Sequence, residues 1–166
     1  MTLNTEFLTT LHLLIKTPSV VGAERHFFTI VRRELESLGI TITAYNGALV
    51  SQGSKPESGV LCAHADRHGL ISTGPNEFQY AAFMSKVRHS AELESVSEQM
   101  IMTIQERFIN QVVHAYNPWS GSYLGRGVIK SSHHCKRREN LIFEVKGLEN
   151  LPPGIPLAYE DKLTQD

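Results

Sequence analysis

The sequence has few cysteines, no long hydrophobic run and no signal-peptide pattern in its first residues. Only two of its 166 residues are cysteines, Cys62 and Cys135, so a framework of several disulfide bonds is excluded. No apolar run approaches the length that spans a bilayer. Residues 1–6 lack the basic and apolar segments of a signal peptide. These absences predict a cytoplasmic protein.

The chain also has almost no net charge. Its 16 lysines and arginines face 17 aspartates and glutamates, which gives a formal net charge of -1. Without an excess of positive charge, nothing attracts the chain as a whole to nucleic acid or to an anionic membrane. The basic cluster at 136–138 is followed directly by Glu139 and is interpreted as a solvated loop. We therefore expect neither nucleic acid nor a membrane as a partner.

Residues 1–72 contain the patterns of two helices and three short strands. Apolar residues recur at helical spacing in two stretches, and the Asn46-Gly47 pair between two alternating runs is a strong hairpin signal. An order of helices followed by strands is typical of a layered α/β domain. The predicted elements are helices over 3–16 and 23–38, hairpin strands over 40–45 and 48–51, and a buried strand over 60–63.

Residues 73–160 are mostly β in pattern, and residues 161–166 form a short tail. No low-complexity linker marks the boundary, so we interpret the second part as a barrel-like lobe inserted into the first domain. The predicted elements are a hairpin with strands over 70–73 and 78–83, a helix over 92–108, strands over 111–116, 125–130 and 141–145 with a loop over 131–140, and a short run over 156–159.

The predicted strand over 60–63 is followed by His64-Ala65-Asp66 and then by Gly69. A neutral imidazole is a good zinc ligand, and a carboxylate two residues later can orient it. His64 is therefore a candidate metal ligand. The alternative is a capped strand end with no metal, since a His-x-Asp pair is common by chance.

Several short motifs of the chain resemble, in their order and separations, those of one enzyme family. The motifs are Pro18-Ser19-x-x-Gly22-x-Glu24, Leu38-Gly39, Asn46-Gly47, Ala63-His64-Ala65-Asp66 with Gly69, Gly125-x-Gly127-Val128-Ile129 and Leu151-Pro152-Pro153-Gly154-Ile155-Pro156. The first four resemble the start of the dinuclear zinc aminopeptidases of the glutamyl aminopeptidase and tetrahedral aminopeptidase type. The last two resemble the far side of the β-barrel lobe that this family inserts after its His-x-Asp.

This resemblance implies a fold, an activity and two site residues. The fold is α/β: a partial three-layer zinc-peptidase catalytic domain over 1–72, with an inserted, mostly β, barrel-like lobe over 73–160. His64 maps onto a ligand of one of two zinc ions, or of another divalent metal such as cobalt. Asp66 maps onto a catalytic residue just outside the metal shell. The implied substrate is a peptide that loses its N-terminal residue, and the implied assembly is a homo-oligomer.

The chain departs from the family on the C-terminal side of the lobe. The remaining family groups, which are a bridging aspartate, a Glu-Glu pair, another acidic ligand and a late histidine, lie downstream of it. Residues 160–162 do not match the bridging aspartate, because they come too soon after 152–154 and lack small flanking residues. Residues 133–135 (His-His-Cys) would point to opposite faces of an extended chain and so cannot all reach one ion. We therefore expect a chain that carries only the first ligand region and is inactive alone.

Two other functions remain open. The chain could be a non-catalytic oligomerisation or interaction module derived from the peptidase fold. It could also retain enzyme activity through a separate chain that supplies the missing ligands.

Overall fold

The computed structural model describes residues 3–55, 59–81, 94–138 and 140–160. Within these ranges it contains three helices and eight strands. The elements are α1 (Leu3–Lys16), α2 (Arg25–Ser37), β1 (Thr43–Tyr45), β2 (Ala48–Val50), β3 (Gly69–Gly74), β4 (Glu77–Ala81), α3 (Glu94–Phe108), β5 (Val112–Tyr116), β6 (Tyr123–Cys135), β7 (Asn140–Lys146) and β8 (Pro156–Tyr159). The predicted tail at 161–166 and the ends of two predicted elements, 82–83 and 92–93, lie outside the described residues.

Six strands close into an antiparallel barrel in the order β3-β4-β7-β6-β5-β8. The last strand closes it, because β8 pairs with β3 on one side and with β5 on the other. The predicted barrel-like lobe is thereby confirmed, and the fold as a whole is mixed α/β. The strand β3 spans residue 72, where the sequence pattern changes. None of the helices described is both long and apolar enough to cross a membrane.

The barrel interior holds the main hydrophobic core. In β5 and over most of β4, buried residues alternate with less buried ones, as expected for a sheet with one buried face. The helix α3 adds Ile104 to this core, and Phe108 stacks on Tyr159 with ring centroids 4.2 Å apart. The fully buried apolar side chains of the barrel strands include Leu70, Phe78, Val113, Ile129, Leu141, Phe143, Val145 and Leu157.

The prediction of a buried strand over 60–63 is wrong. The segment forms no strand, and Val60 and Leu61 are 85% and 103% exposed. The apolar run alone does not make a strand, since a strand needs a neighbour to satisfy its backbone groups. The nearby hairpin of β1 and β2 gives residues 60–63 no such neighbour, because among the described residues its sheet contains those two strands only.

The prediction of a loop over 131–140 is also wrong in its first half. The strand β6 continues to Cys135, and its end pairs with β7, where His133 lies opposite Ile142 and His134 opposite Leu141. The polar composition of 131–135 favoured a loop. Pairing with the apolar strand β7 determines the structure instead, so only residues 136–138 of the described chain form the turn.

The side chain of Arg67 joins α1 to the segment that enters the barrel. Its guanidinium donates hydrogen bonds to the carbonyl oxygens of Leu14 (2.9 Å), Ile15 (2.8 Å) and Thr17, and to the Oγ of Ser19 (3.0 Å). The last carbonyls of a helix have no partner within the helix, and positive charge is favourable there. Arg67 therefore caps α1 from a distant part of the chain.

The backbone reinforces this connection just before β3. Val20 and Arg67 form a parallel bridge, in which the amide of Arg67 donates to the carbonyl of Ser19 (2.7 Å) and the amide of Val21 to that of Arg67 (3.1 Å). Val20 is 1% exposed and lies against Gly69. The loop after α1 is thus packed against the start of the barrel.

Gly69 is expected to tolerate no side chain. A Cβ built there would lie 2.6 Å from the carbonyl oxygen of Leu157 and 2.7 Å from Cγ1 of Val20. We expect Gly69→Ala to lower the free energy of unfolding by about 1–3 kcal/mol, because backbone and a buried side chain would both have to move. Urea unfolding followed by circular dichroism measures the change.

Gly53→Ala is the matched control for this substitution. A Cβ at Gly53 meets nothing within 4 Å. Its stability should equal that of the unmodified chain or exceed it slightly, since alanine restricts the unfolded state. Equal stability of the Gly69→Ala and Gly53→Ala variants would contradict the close approach at β3.

Candidate functional site

His64 and Asp66 contact each other in the segment that precedes β3. The Nδ1 of His64 lies 2.8 Å from the Oδ1 of Asp66, and the two side chains are 92% and 38% exposed. The hydrogen bond from His64 lowers the pKa of the Asp66 carboxyl below its ordinary value. An ionised carboxylate only accepts hydrogen bonds, so Nδ1 carries the proton. In the neutral ring, Nε2 then keeps its lone pair and is the atom that could bind a metal.

This pair is one nitrogen ligand with a supporting carboxylate, which is part of a zinc site. A protein zinc site needs three or four ligands. In the described ranges no three side chains of His, Cys, Asp or Glu lie close enough together to hold a metal ion. The residues that the structure describes therefore do not make a zinc site by themselves. The metal-binding role of His64 and the catalytic role of Asp66 stay predictions.

His68, which lies two residues after Asp66, has a different partner. The Nδ1 of His68 is joined to the hydroxyl of Tyr80 by a 2.8 Å hydrogen bond, and the two rings stack with centroids 5.8 Å apart. Tyr80 is 4% exposed, and its burial raises the pKa of its phenol, which therefore stays neutral. The side chain of His68 thus packs against the barrel rather than joining His64.

The His-His-Cys run at 133–135 lies along a strand. All three residues lie in β6, where successive side chains point to opposite faces. They belong to no group of three potential ligands among the described residues. The sequence-based expectation is that alternating faces keep these three side chains apart, and their position in β6 gives them such alternating faces.

A second polar cluster, which no sequence motif predicts, lies on the outer face of the barrel. The Nε2 of His114 in β5 lies 3.1 Å from the Oε1 of Glu160, which directly follows β8. The Nη2 of Arg126 in β6 lies 3.7 Å from the Oε2 of the same carboxylate. His114 and Glu160 are 46 residues apart, so only the barrel topology brings them together. The alternation of His114 with buried Val113 and Ala115 was the one available signal.

This cluster borders a cavity of about 200 Å³ next to the C-terminal end of α1. One wall comes from the end of α1, the residues after it and Arg67, and the other from the outer side of β5 and β8. Both signs of charge occur on the walls, with Lys16 and Arg67 on the first and Glu160 on the second. The side chains of Ile15, Pro18, His114 and Tyr116 also line the cavity.

No protein-family model and no curated protein matches this chain. The resemblance of its motifs to the zinc aminopeptidases therefore stays a prediction from the sequence.

Proposed function

We propose that this chain carries the first ligand region of a two-metal aminopeptidase site and is inactive alone. In this proposal His64 binds zinc, or another divalent metal such as cobalt, and Asp66 orients the imidazole. The supporting observation is the 2.8 Å contact between Nδ1 of His64 and Oδ1 of Asp66. It holds the proton on Nδ1 and directs the lone pair of Nε2 to solvent, where a metal and its other ligands would reach it.

The chain order around the pair supports the same proposal. From Asp66 the backbone passes through Arg67 and His68 into β3 of the closed barrel, which is consistent with the lobe that the resemblance implies after His-x-Asp. Residues 1–72 would then be part of a three-layer α/β catalytic domain. In such a domain Val60 and Leu61 would be covered by further strands, whereas here they are exposed. Two groups do not complete a zinc site, so we expect no peptide hydrolysis by this chain.

Zinc titration by calorimetry tests the roles of the two residues. The unmodified chain is expected to show only a weak binding step, since one ligand with its supporting carboxylate does not complete a zinc site, and His64→Ala should remove it. Asp66→Asn should weaken it by about tenfold to a hundredfold, since a partner of the ligand is lost. His12→Ala, which removes an exposed histidine of α1, should leave it unchanged. The absence of any binding step, or an equal step in the His64→Ala variant, would contradict the proposal.

A peptidase assay tests the expected inactivity. The purified chain with zinc or cobalt should not release 4-nitroaniline from aminoacyl 4-nitroanilides faster than metal and buffer alone. Metal-dependent release that disappears in the His64→Ala variant would show that this chain contains a complete site, and would overturn the proposal of an isolated first ligand region.

A non-catalytic oligomerisation module is the second candidate, and one observation favours it. Several large apolar residues are exposed in residues 3–66, and exposed apolar surface of this kind is typical of interaction sites when it is contiguous. The exposed residues are Phe7 (64%), Leu8 (54%), Leu11 (40%), Leu38 (75%), Tyr45 (63%), Val50 (48%), Val60 (85%) and Leu61 (103%). Light scattering of the purified chain tests this candidate, in which a second copy of the chain covers the surface. A monomer would contradict it, and an oligomer that Leu61→Lys disrupts would support it.

A further inference from the structure

We propose that the end of β6, residues 131–135, binds an extended acidic segment of another protein by strand addition. On one side this part of β6 pairs with β7 along its whole length. On the other side the ladder with β5 ends at Val128. Beyond it the backbone of Ile129 still bonds to Asn110 and Gln111, but no described residue continues the ladder along 131–135. Residues 131–135 therefore form a sheet edge that extends from the closed barrel.

The backbone of this edge offers the hydrogen bonds that an added strand needs. Alternate residues of an antiparallel pair direct their N–H and C=O groups away from the neighbouring strand, and a row of such groups is a template for another chain. Ser131, His133 and His134 are exposed, so the edge lies at the surface. The helix α3 packs on the core face of this sheet, since its Ile104 belongs to the same core cluster as Leu141 of β7. The edge extends over about 17 Å, which accommodates a short extended peptide.

Positive charge lies at both ends of the edge. Lys130 precedes it, Lys136 and Arg137 follow it, and all three residues are exposed. Within the described part of the chain none of these three side chains forms an ion pair. Arg138, by contrast, is paired with Glu77 at 2.6 Å. A strand with a carboxylate near each end would meet an opposite charge at both, and opposite charges across a strand pair stabilise it.

The nearest described carboxylate of the same sheet is one strand further from the edge. Glu144 of β7 accepts a hydrogen bond from the Oγ of Ser131 (2.8 Å). A strand added to β6 would lie about 10 Å from β7, which is about one Debye length at ordinary salt. Glu144 therefore opposes an acidic peptide only weakly. Glu139 lies outside the described residues.

The same charges disfavour a second copy of the chain as the added strand. A two-fold axis at His133 would place Lys130 of one copy opposite Lys136 of the other, and an axis between His133 and His134 would place it opposite Arg137. Like charges directly opposite each other destabilise a strand pair. A different, acidic chain avoids this repulsion and is the occupant that the edge selects.

This edge is independent of the proposed metal site. It contains neither His64 nor Asp66, and strand addition needs no metal ion. Peptide binding at the edge and zinc binding at His64 can therefore succeed or fail separately.

Titration of the full chain with three peptides, followed by amide resonances in heteronuclear NMR spectra, tests the proposal. The first peptide has a glutamate at each end and a centre of valine and threonine. The second has lysine in place of both glutamates, and the third keeps the glutamates but carries N-methyl groups on its central amides. We expect saturable shifts at 131–135 with the first peptide. The other two should bind about tenfold more weakly or worse, because one loses the opposite charges and the other the backbone donors.

Each comparison can contradict one part of the proposal. Equal binding of the first and third peptides would overturn strand addition, and equal binding of the first and second would overturn the preference for acidic segments. A lack of saturable binding of the first peptide would overturn both. An oligothymidylate that binds as tightly as the acidic peptide would also overturn the proposal, since nucleic acid has no amide groups to pair with the edge.

A charge-reversal variant tests the contribution of the basic side chains. Lys136→Glu should weaken binding of the acidic peptide by about tenfold or more. Lys55→Glu makes the same change of charge at an exposed residue outside the barrel and is the matched control. It should leave peptide binding unchanged. Equal binding by the two folded variants would contradict the proposal. If Lys136→Glu does not fold, the comparison of the three peptides on the unmodified chain decides.

Discussion

Phe143→Ala is expected to lower the free energy of unfolding by about 3–5 kcal/mol. Phe143 is 0% exposed in β7, and its ring lies 6.4 Å from that of Tyr80 between ring centroids. Its strand pairs with both β4 and β6, so the site is held from two sides and has little freedom to collapse around a cavity. The loss therefore combines the transfer free energy of a large aromatic side chain with the cost of a cavity.

Urea unfolding of the variant and of Phe7→Ala provides the comparison. Phe7 lies on α1 and is 64% exposed, so its replacement should change stability by only about 0.5 kcal/mol. A similar, small effect of both substitutions would contradict a packed barrel core at Phe143.

Arg67→Ala is expected to loosen the end of α1 by about 2 kcal/mol or more. The substitution removes four hydrogen bonds from one guanidinium. Two go to carbonyls in the last turn of α1, one to the carbonyl of Thr17 just after the helix and one to Ser19. Hydrogen bonds from charged groups contribute more than neutral ones, and the lost donors leave helix carbonyls without partners. Arg67→Lys should recover only part of the effect, since an ammonium lacks the fork of donors.

Amide hydrogen exchange measures this loosening locally. The amides of Thr17 and Val21, which donate to Leu13 and to Arg67 respectively, should exchange about 30-fold faster in the Arg67→Ala variant. Arg32→Ala removes an exposed ion pair with Glu36 on α2 and should have little effect. Equal exchange rates for the two variants would contradict a capping role for Arg67.

The elements that the sequence predicted well are those fixed by local pattern. The predicted helix over 3–16 coincides with α1, and the Asn46-Gly47 pair does connect β1 and β2. Helical spacing and turn residues act within a few positions, so they are visible in the sequence. The barrel-like lobe was predictable for the same reason, from several short strands with turns between them.

The wrong predictions concern strands whose formation depends on a distant neighbour. Residues 60–63 have the composition of a buried strand but form none, whereas residues 131–135 are polar and form one opposite β7. Pairing decides both cases, and pairing is set by topology. The capping of α1 by Arg67 depends on the same kind of contact, between residues about 50 positions apart along the chain.

The His64–Asp66 pair and the His114–Glu160 pair also differ in whether a local or a distant contact forms them. His64 and Asp66 are two residues apart, so their contact could be inferred from the sequence together with the chemistry of the pair. His114 and Glu160 meet only because β8 closes the barrel beside β5. No local pattern joins these two residues, and their cavity is visible only in the folded chain.

The most direct test of the proposed function follows the imidazole nitrogens of the chain by NMR while zinc is added. We predict that the Nε2 signal of His64 shifts first, while its Nδ1 keeps the proton and the hydrogen bond to Asp66. Asp66→Asn should delay this shift to higher zinc concentrations. An unchanged His64 signal while those of His133 or His134 respond would contradict a metal-binding role for His64.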